Sequence, residues 1–352
     1  MAIDPDIAAT LAALLAAEEP TDAQWSLLIH WELADRQRAA AWGITPENVD
    51  TQLQTRLEWL RAIGVWPAAV PLPADQDVYV SLYWQLWLPL ALTIKAARDR
   101  LQRPLIQGIL GVQGCGKTTL TRILVQLLTA MGYPTLSFSL DDLYKTYADR
   151  CRLRQADPRL RWRGPPGTHD IDLGLATLDH LRRAPSQEGV DIPRFDKSLY
   201  QGEGDRIAPE RVQGIDIVLF EGWFVGVRPV AEAQFEQAPA PICTEADRRF
   251  ARDMNRWLQH YLPLWERLDR LLLLCPEDYR MSKRWRQQAE QRMRAAGQPG
   301  MEEATVDAFV DYFWRALHPE LFITPLKHDR TITNLVIEIN LDRTPRTVYR
   351  PK

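Results

Sequence analysis

The sequence predicts an α/β fold: a mostly parallel central sheet flanked by helices, preceded by an N-terminal helical extension. Three observations predict it. Helical spacing dominates the first hundred residues. From Leu105 onward, short apolar runs alternate with helical segments, the pattern of βαβ units. A glycine-rich turn joins the first of those runs to the first of those helices.

In the N-terminal part, Thr21-Asp-Ala-Gln24 has capping-box spacing ahead of Trp25, Leu28 and Ile29. Thr45-Pro46 reads as a cap followed by proline at the first helical position. Val49, Leu53, Leu57, Leu60 and Ile63 then recur at helical spacing, with Gly64 placed as a C-terminal cap. Residues 65–77 are proline-rich and read as a connector. The apolar, aromatic stretch Val78–Ile94 is just short for a membrane span, and Ser81, Gln85, Pro89 and Thr93 interrupt it. A buried core helix is the expected outcome.

The expected strands are Leu105–Leu110, Thr135–Leu140, Ile215–Phe220, Arg270–Cys275 and Leu335–Leu341. Most are too continuously apolar for half-exposed strands, which implies a parallel sheet covered on both faces. Asp149–Gly189 and Gln201–Gly214 read as long charged loops, and loops of that length usually carry function or are disordered.

The 352 residues allow one large or two ordinary domains, and a net charge of −3 leaves no footprint for nucleic acid or an anionic membrane. The four cysteines, Cys115, Cys151, Cys243 and Cys275, are scattered without CxxC pairing, which argues against a disulfide framework or a zinc site. The first residues lack the basic start of a signal peptide, so a cytoplasmic location is expected. Oligomeric state is unknown at this level.

Gly111-Val112-Gln113-Gly114-Cys115-Gly116-Lys117-Thr118, followed by Thr119, matches G-x-x-x-x-G-K-[ST] at every fixed position. A strand precedes it and a helix follows, as a P-loop NTPase fold requires. The glycines let successive main-chain N–H groups face an anion, and the helix adds its positive end. Lys117 would reach the β- and γ-phosphates of ATP, and Thr118 would ligate Mg²⁺. The motif alone indicates nucleotide binding without separating kinases from switches or motors. Cys115 either exposes this loop to thiol chemistry or is simply a small residue that fits.

Ser139-Leu-Asp141-Asp142-Leu-Tyr144 closes the second strand, which puts its carboxylates beside the crevice. Phosphoryl transfer needs a proton acceptor and a metal-holding acid. Asp141 is the candidate base. Asp142 either shares that work or caps the next helix. Glu221, at the end of Ile215–Phe220, is placed like a Walker-B acid, so Thr118, Asp141 and Glu221 form the candidate Mg²⁺ set.

The cationic run Asp278-Tyr-Arg280-Met-Ser-Lys283-Arg284-Trp-Arg286 puts Arg280, Lys283 and Arg284 on one helix face. It reads either as a solvated face or as a lid near residues 278–297 that neutralises the transferring phosphoryl. Two further segments, Arg163–Asp170 and Ile192–Arg206, combine glycines with charge. If the acceptor is a small acid, Arg194, Lys197 and Arg206 are the candidates for its carboxylate, while His169 and Asp170 could hold hydroxyls.

Taken together, Gln113–Leu120, Ser139–Tyr144, Gly167–Asp170, Pro193–Ser198, Gly202–Arg206, Leu219–Trp223 and Gln298–Met301 resemble the D-glycerate 3-kinases of plants and cyanobacteria. The resemblance spans about Leu105 to Leu326, and a helical N-terminal extension is also a feature of that family. The wider pattern is similar to uridine kinase, phosphoribulokinase and pantothenate kinase. It implies a kinase domain at 101–352 behind a helical region at 1–100, with ATP and Mg²⁺ as cofactors and glycerate as acceptor. In photosynthetic organisms that activity belongs to photorespiration. By the same resemblance Asp141 is the base, Tyr144 its aromatic partner, and His169 with Asp170 the substrate segment. The gap there is shorter, so Asp172 could take the acid role. The lid pattern falls on Arg280 and Arg284, with Met281 and Lys283 departing from it, and Leu143 replaces a usual aromatic. The alternatives are a same-fold kinase of a nucleoside, pantothenate or another sugar acid, and an NTP-driven switch with no small acceptor.

Overall fold

A computed structural model describes residues 5–15, 19–63, 80–183, 189–295, 297 and 301–352. The central sheet has six strands: β1 (Leu105–Gly111), β2 (Thr135–Ser139), β5 (Ile217–Gly222), β6 (Arg270–Pro276), β7 (Leu335–Ile339) and β8 (Pro345–Tyr349). Their order is β2-β5-β1-β6-β7-β8, parallel except for β8. β1 and β5 are buried along their whole length, which is what continuous apolar runs covered on both faces require. β1 continues through a tight turn into helix α6 (Lys117–Ala130), and the chain returns as β2 on the far side of β5. That crossing leaves a crevice at the C-terminal strand ends. Pairing of Glu221 with both Ile109 and Ser139 delivers its carboxylate there.

Ahead of the sheet lie α1 (Pro5–Leu15), α2 (Asp22–Ala34), α3 (Arg36–Trp42), α4 (Val49–Ile63) and α5 (Leu88–Asp99). The capping box at Thr21 and Gln24 forms as expected. Thr45 does not cap α4. Its N–H is taken by the Asn48 side chain in a turn, and the helix starts at Val49. Gly64, the connector at 65–77 and the start of the Val78–Ile94 stretch lie outside the described residues. From Val80 that stretch is helical and buried, with a π-helical turn at Tyr83–Trp87. Pro89 explains the widening. It has no N–H for the Gln85 carbonyl and its ring would clash there, so Leu88 bonds back five residues to Tyr83. Among the described residues no helix is long and apolar enough to cross a membrane.

The N-terminal helices share one apolar core with the sheet, running from Ile7 and Leu28 through Trp84 to Ile109 and Val348. α3 lies on β8, and α5 on α6. Inside this region Glu32 is fully buried and accepts from both Arg56 amino groups at 3.0 and 3.3 Å.

Two further expectations change. Asp149–Gly189 is not one loop: it contains most of α7 (Tyr147–Ala156) and all of α8 (Ile171–Arg182). Gln201–Gly214 is mostly β4 (Asp205–Val212), which pairs antiparallel with β3 (Val190–Asp196) as a separate hairpin. After β5 come α9 (Glu245–Trp257), α10 (Met281–Ala295) and α11 (Glu303–Ala316).

Candidate functional site

The phosphate loop is built from its glycines. Gly114 and Gly116 have φ of 78° and 95°, a left-handed conformation that side-chain-bearing residues rarely adopt. A Cβ on Gly114 would also meet Cβ of Trp285 at 2.7 Å. α10 therefore docks directly on the loop. Lys117 Nζ donates to Val112 O at 3.2 Å, folded back over the loop, and Thr118 is exposed at the helix start. A second clasp comes from the β7–β8 turn: Arg343 donates to Gly114 O at 2.8 Å, and Trp285 donates to Leu341 O at 2.7 Å.

Cys115 is buried, and burial pushes its thiol pKa up, with Lys117 opposing. The thiolate that redox chemistry requires is thereby disfavoured. This supports the reading of a small residue that fits.

Asp141 and Glu221 face the same space. Burial would raise Asp141, but Lys197 Nζ at 2.6 Å, a hydrogen bond from Tyr144 and the nearby His169 together hold it below the usual carboxylate range. Glu221 is raised, first by burial and then by Asp141, with Lys117 opposing. The two acids therefore sense each other across the crevice. Among the described residues no group of three His, Cys, Asp or Glu side chains could hold a metal. An exposed hydroxyl and two carboxylates at a phosphate site suit Mg²⁺, which keeps waters and takes its remaining oxygens from phosphate.

Asp142 does the capping work. It accepts from Ser139 N and Phe195 N and pairs with Arg194 at 3.0 Å. That pair ties β2 to β3. Arg194 also grips Glu210 at 2.6 Å, and Arg206 joins Tyr144 O at 2.8 Å to Asp170 at 2.9 Å. Both arginines are thus held by internal acids, and both fasten the hairpin. Asp170 caps α8 through Leu173 N.

Tyr144 is buried, stacked on His169 with centroids 4.6 Å apart, and burial drives its hydroxyl pKa well upward. His169 is buried with its pKa lowered to about 3, chiefly by that burial. Tyr261 Oη accepts from Gly167 N at 2.9 Å and shares a hydrogen bond with His169 Nδ1 at 2.8 Å. The other ring nitrogen, Nε2, is buried and has no partner among the described residues. His169 and Asp141 lie close enough for each to influence the other's charge.

Arg163 lies in the same pocket, 5.8 Å from the Tyr144 ring and 5.6 Å from Phe195. It donates to Gly202 O and Glu203 O, and among the described residues no carboxylate pairs with it. Nothing in the sequence ranks it above Arg194 and Arg206. The signal was available in its glycine- and proline-bounded segment.

At α10, Lys283 is committed to Asp311 at 2.7 Å, while Arg280 and Arg284 are exposed. Gln298–Gly300 lie outside the described residues.

A phosphate loop, a strand-end acid paired with a lysine, and a helix seated on the loop define a P-loop phosphotransferase. No family model matches the chain. It is 32% identical over 255 residues to D-glycerate 3-kinase, chloroplastic, of Arabidopsis thaliana, covering 69% of this chain and 54% of that protein, so it spans about half of that relative. It is 32% identical over 219 residues to an uncharacterised kinase of Schizosaccharomyces pombe, covering 60% of this chain and 79% of that one. Among solved structures, D-glycerate 3-kinase of Cryptococcus neoformans superposes with a TM-score of 0.64 at 28% identity, over 75% of this chain and 99% of that one. The chain belongs to the P-loop kinase family that contains these proteins, and it is a kinase.

Proposed function

We propose that this kinase transfers the γ-phosphate of ATP to D-glycerate, giving 3-phosphoglycerate. The observation that carries the reading is the Asp141–Lys197 pair at 2.6 Å, flanked by Arg163 and by the unpartnered Nε2 of His169. A small hydroxy acid presents a hydroxyl and a carboxylate a few atoms apart. Lys197 and Arg163 supply cations for the carboxylate, and His169 supplies a hydrogen-bonding nitrogen for the hydroxyl. Asp141, held ionised, accepts the hydroxyl proton. Drawing Lys197 toward the substrate would free Asp141 for that task.

Lys117 and the loop amides would hold the phosphates, and the exposed Arg280 and Arg284 would reach them on closure of a lid at 278–297. Thr118, Asp141 and Glu221 would hold Mg²⁺, which would offset phosphate charge. Arg194, Arg206 and Asp170 support the pocket wall. The helical region at 1–100 braces the kinase domain at 101–352. The four free cysteines suit a reducing cytoplasm.

The test is ADP release across D-glycerate, L-glycerate, uridine, pantothenate and other sugar acids, with phosphorus NMR of the product. Turnover on D-glycerate with phosphate on the 3-hydroxyl is expected. Turnover on uridine or pantothenate alone would reassign the acceptor. Hydrolysis indifferent to every acceptor would make the protein a nucleotide switch.

A further inference from the structure

At the opposite ends of the strands, a cavity of about 370 Å³ opens between α3, α4, α5 and the start of β6. That volume falls within the range of small-molecule sites. Trp42 and Thr93 contribute to its wall, and four arginines line it: Arg56, Arg100, Arg270 and Arg350.

Arg56 is accounted for by buried Glu32. The other three are different. Among the described residues, none of Arg100, Arg270 and Arg350 pairs with a carboxylate. Arginines nearby do: Arg98 holds Asp216 at 2.5 Å and Arg103 holds Asp269 at 2.5 Å. Arg270 is half-buried where β6 begins, and Arg100 and Arg350 are exposed at the rim. Arg350 is fixed by its bond to Ala41 O at 2.9 Å. Burial first, then the Arg350 and Arg100 charges, disfavour the ionised form of Arg270. Three guanidiniums are thus gathered around one concavity, and among the described residues no acid lines it. Their planar forks suit phosphate oxygens.

We propose that this cavity is a second ligand site that binds a small polyanion of the phosphate-ester or polyphosphate class, with Arg270 in its wall and Arg100 and Arg350 at its mouth. It is separate from the catalytic crevice. Arg270 opens β6 and Pro276 closes it at the crevice end, and a strand of that length spans roughly 20 Å. The net charge of −3 argues against a general affinity for nucleic acid or membranes.

Phosphate would also enter the phosphate loop, so the test separates the two sites. Tripolyphosphate is titrated in an anion-poor buffer against wild type, Lys117→Ala and Arg270→Met, following melting temperature and calorimetric affinity. Wild type and Lys117→Ala should both be stabilised at the second site. Arg270→Met should lose roughly tenfold or more in that affinity, the worth of a charge-assisted hydrogen bond, while turning over as wild type does. Without anion, Arg270→Met should melt higher than wild type, because repulsion is relieved. If Arg270→Met does not fold, Arg100→Met at the exposed rim replaces it. Stabilisation that vanishes in Lys117→Ala, or that persists undiminished in the cavity variant, would overturn the proposal. Neither result bears on the acceptor assignment, which rests on turnover.

Discussion

The two halves of the crevice are built differently. The nucleotide half is eight consecutive residues, and its ligand groups are mostly main-chain amides shaped by Gly114 and Gly116. The half proposed for the acceptor is assembled from the β2 end, the 163–170 segment, the β3–β4 hairpin and Tyr261. It is held by ion pairs spanning dozens of residues, such as Arg194 with Asp142 and Arg206 with Asp170. In the first half geometry follows from local sequence. In the second, a cation's role depends on which acid the fold places beside it.

The largest effects should fall where the halves meet. Lys117→Ala should lower kcat/KM about a thousandfold, because a phosphate charge loses its fixed partner. Asp141→Asn should lower kcat by about 10²–10⁴ while ATP binding, measured by calorimetry, is kept. Near-normal turnover in Asp141→Asn would remove it as the base and dissolve the distinction between the halves.

Next comes Lys197→Met. It should raise the acceptor KM about tenfold. It should also change the pH profile, and the direction is set by the charges. Burial raises Asp141 and Lys197 leads the opposing effects, so the folded pKa lies below the ordinary value. The base is active above that pKa and is lost as pH falls through it. Removing Lys197 leaves burial less opposed, so the acid limb of kcat should move to higher pH. An unmoved limb would show that Lys197 does not tune Asp141. His169, lowered to about 3, should add no limb near neutrality.

A paired experiment sharpens the comparison further. Arg163→Gln should raise the acceptor KM about fivefold with little change in melting temperature. Arg194→Gln should do the reverse, costing about 1–2 kcal/mol by denaturant unfolding, since it strands Asp142. If both variants moved only KM, the supporting role given to Arg194 would be wrong.

These arginines also show what the sequence could convey. The loop, Asp141 and Glu221 were legible because apolar strands and a contiguous motif locate them. The hairpin was not, because β4 is largely exposed and charged and so has no core-facing pattern. Its order comes from cross-strand pairing and from Arg150, which donates to Glu203 O at 2.7 Å and Gly204 O at 2.5 Å. β8 is hidden in the same way: Pro345 and Arg346 open an edge strand with no continuous apolar run. Choosing among Arg163, Arg194 and Arg206 required knowing their partners, and spacing does not encode that.

The smallest effect is expected at Cys115, inside the most legible element. Its sulfur is buried in the bend, close enough that a Cβ on Gly111 would meet it at 2.7 Å. Burial raises the thiol pKa, so little thiolate exists near neutrality, and the thiolate is the reactive form. Iodoacetamide near neutral pH should therefore label exposed Cys243 quickly and leave Cys115 and activity almost untouched. Adding ATP should change nothing, because protection already comes from packing. Rapid inactivation that ATP prevents would mean that the loop opens in solution, and the nucleotide half would then be less locally determined than its geometry implies.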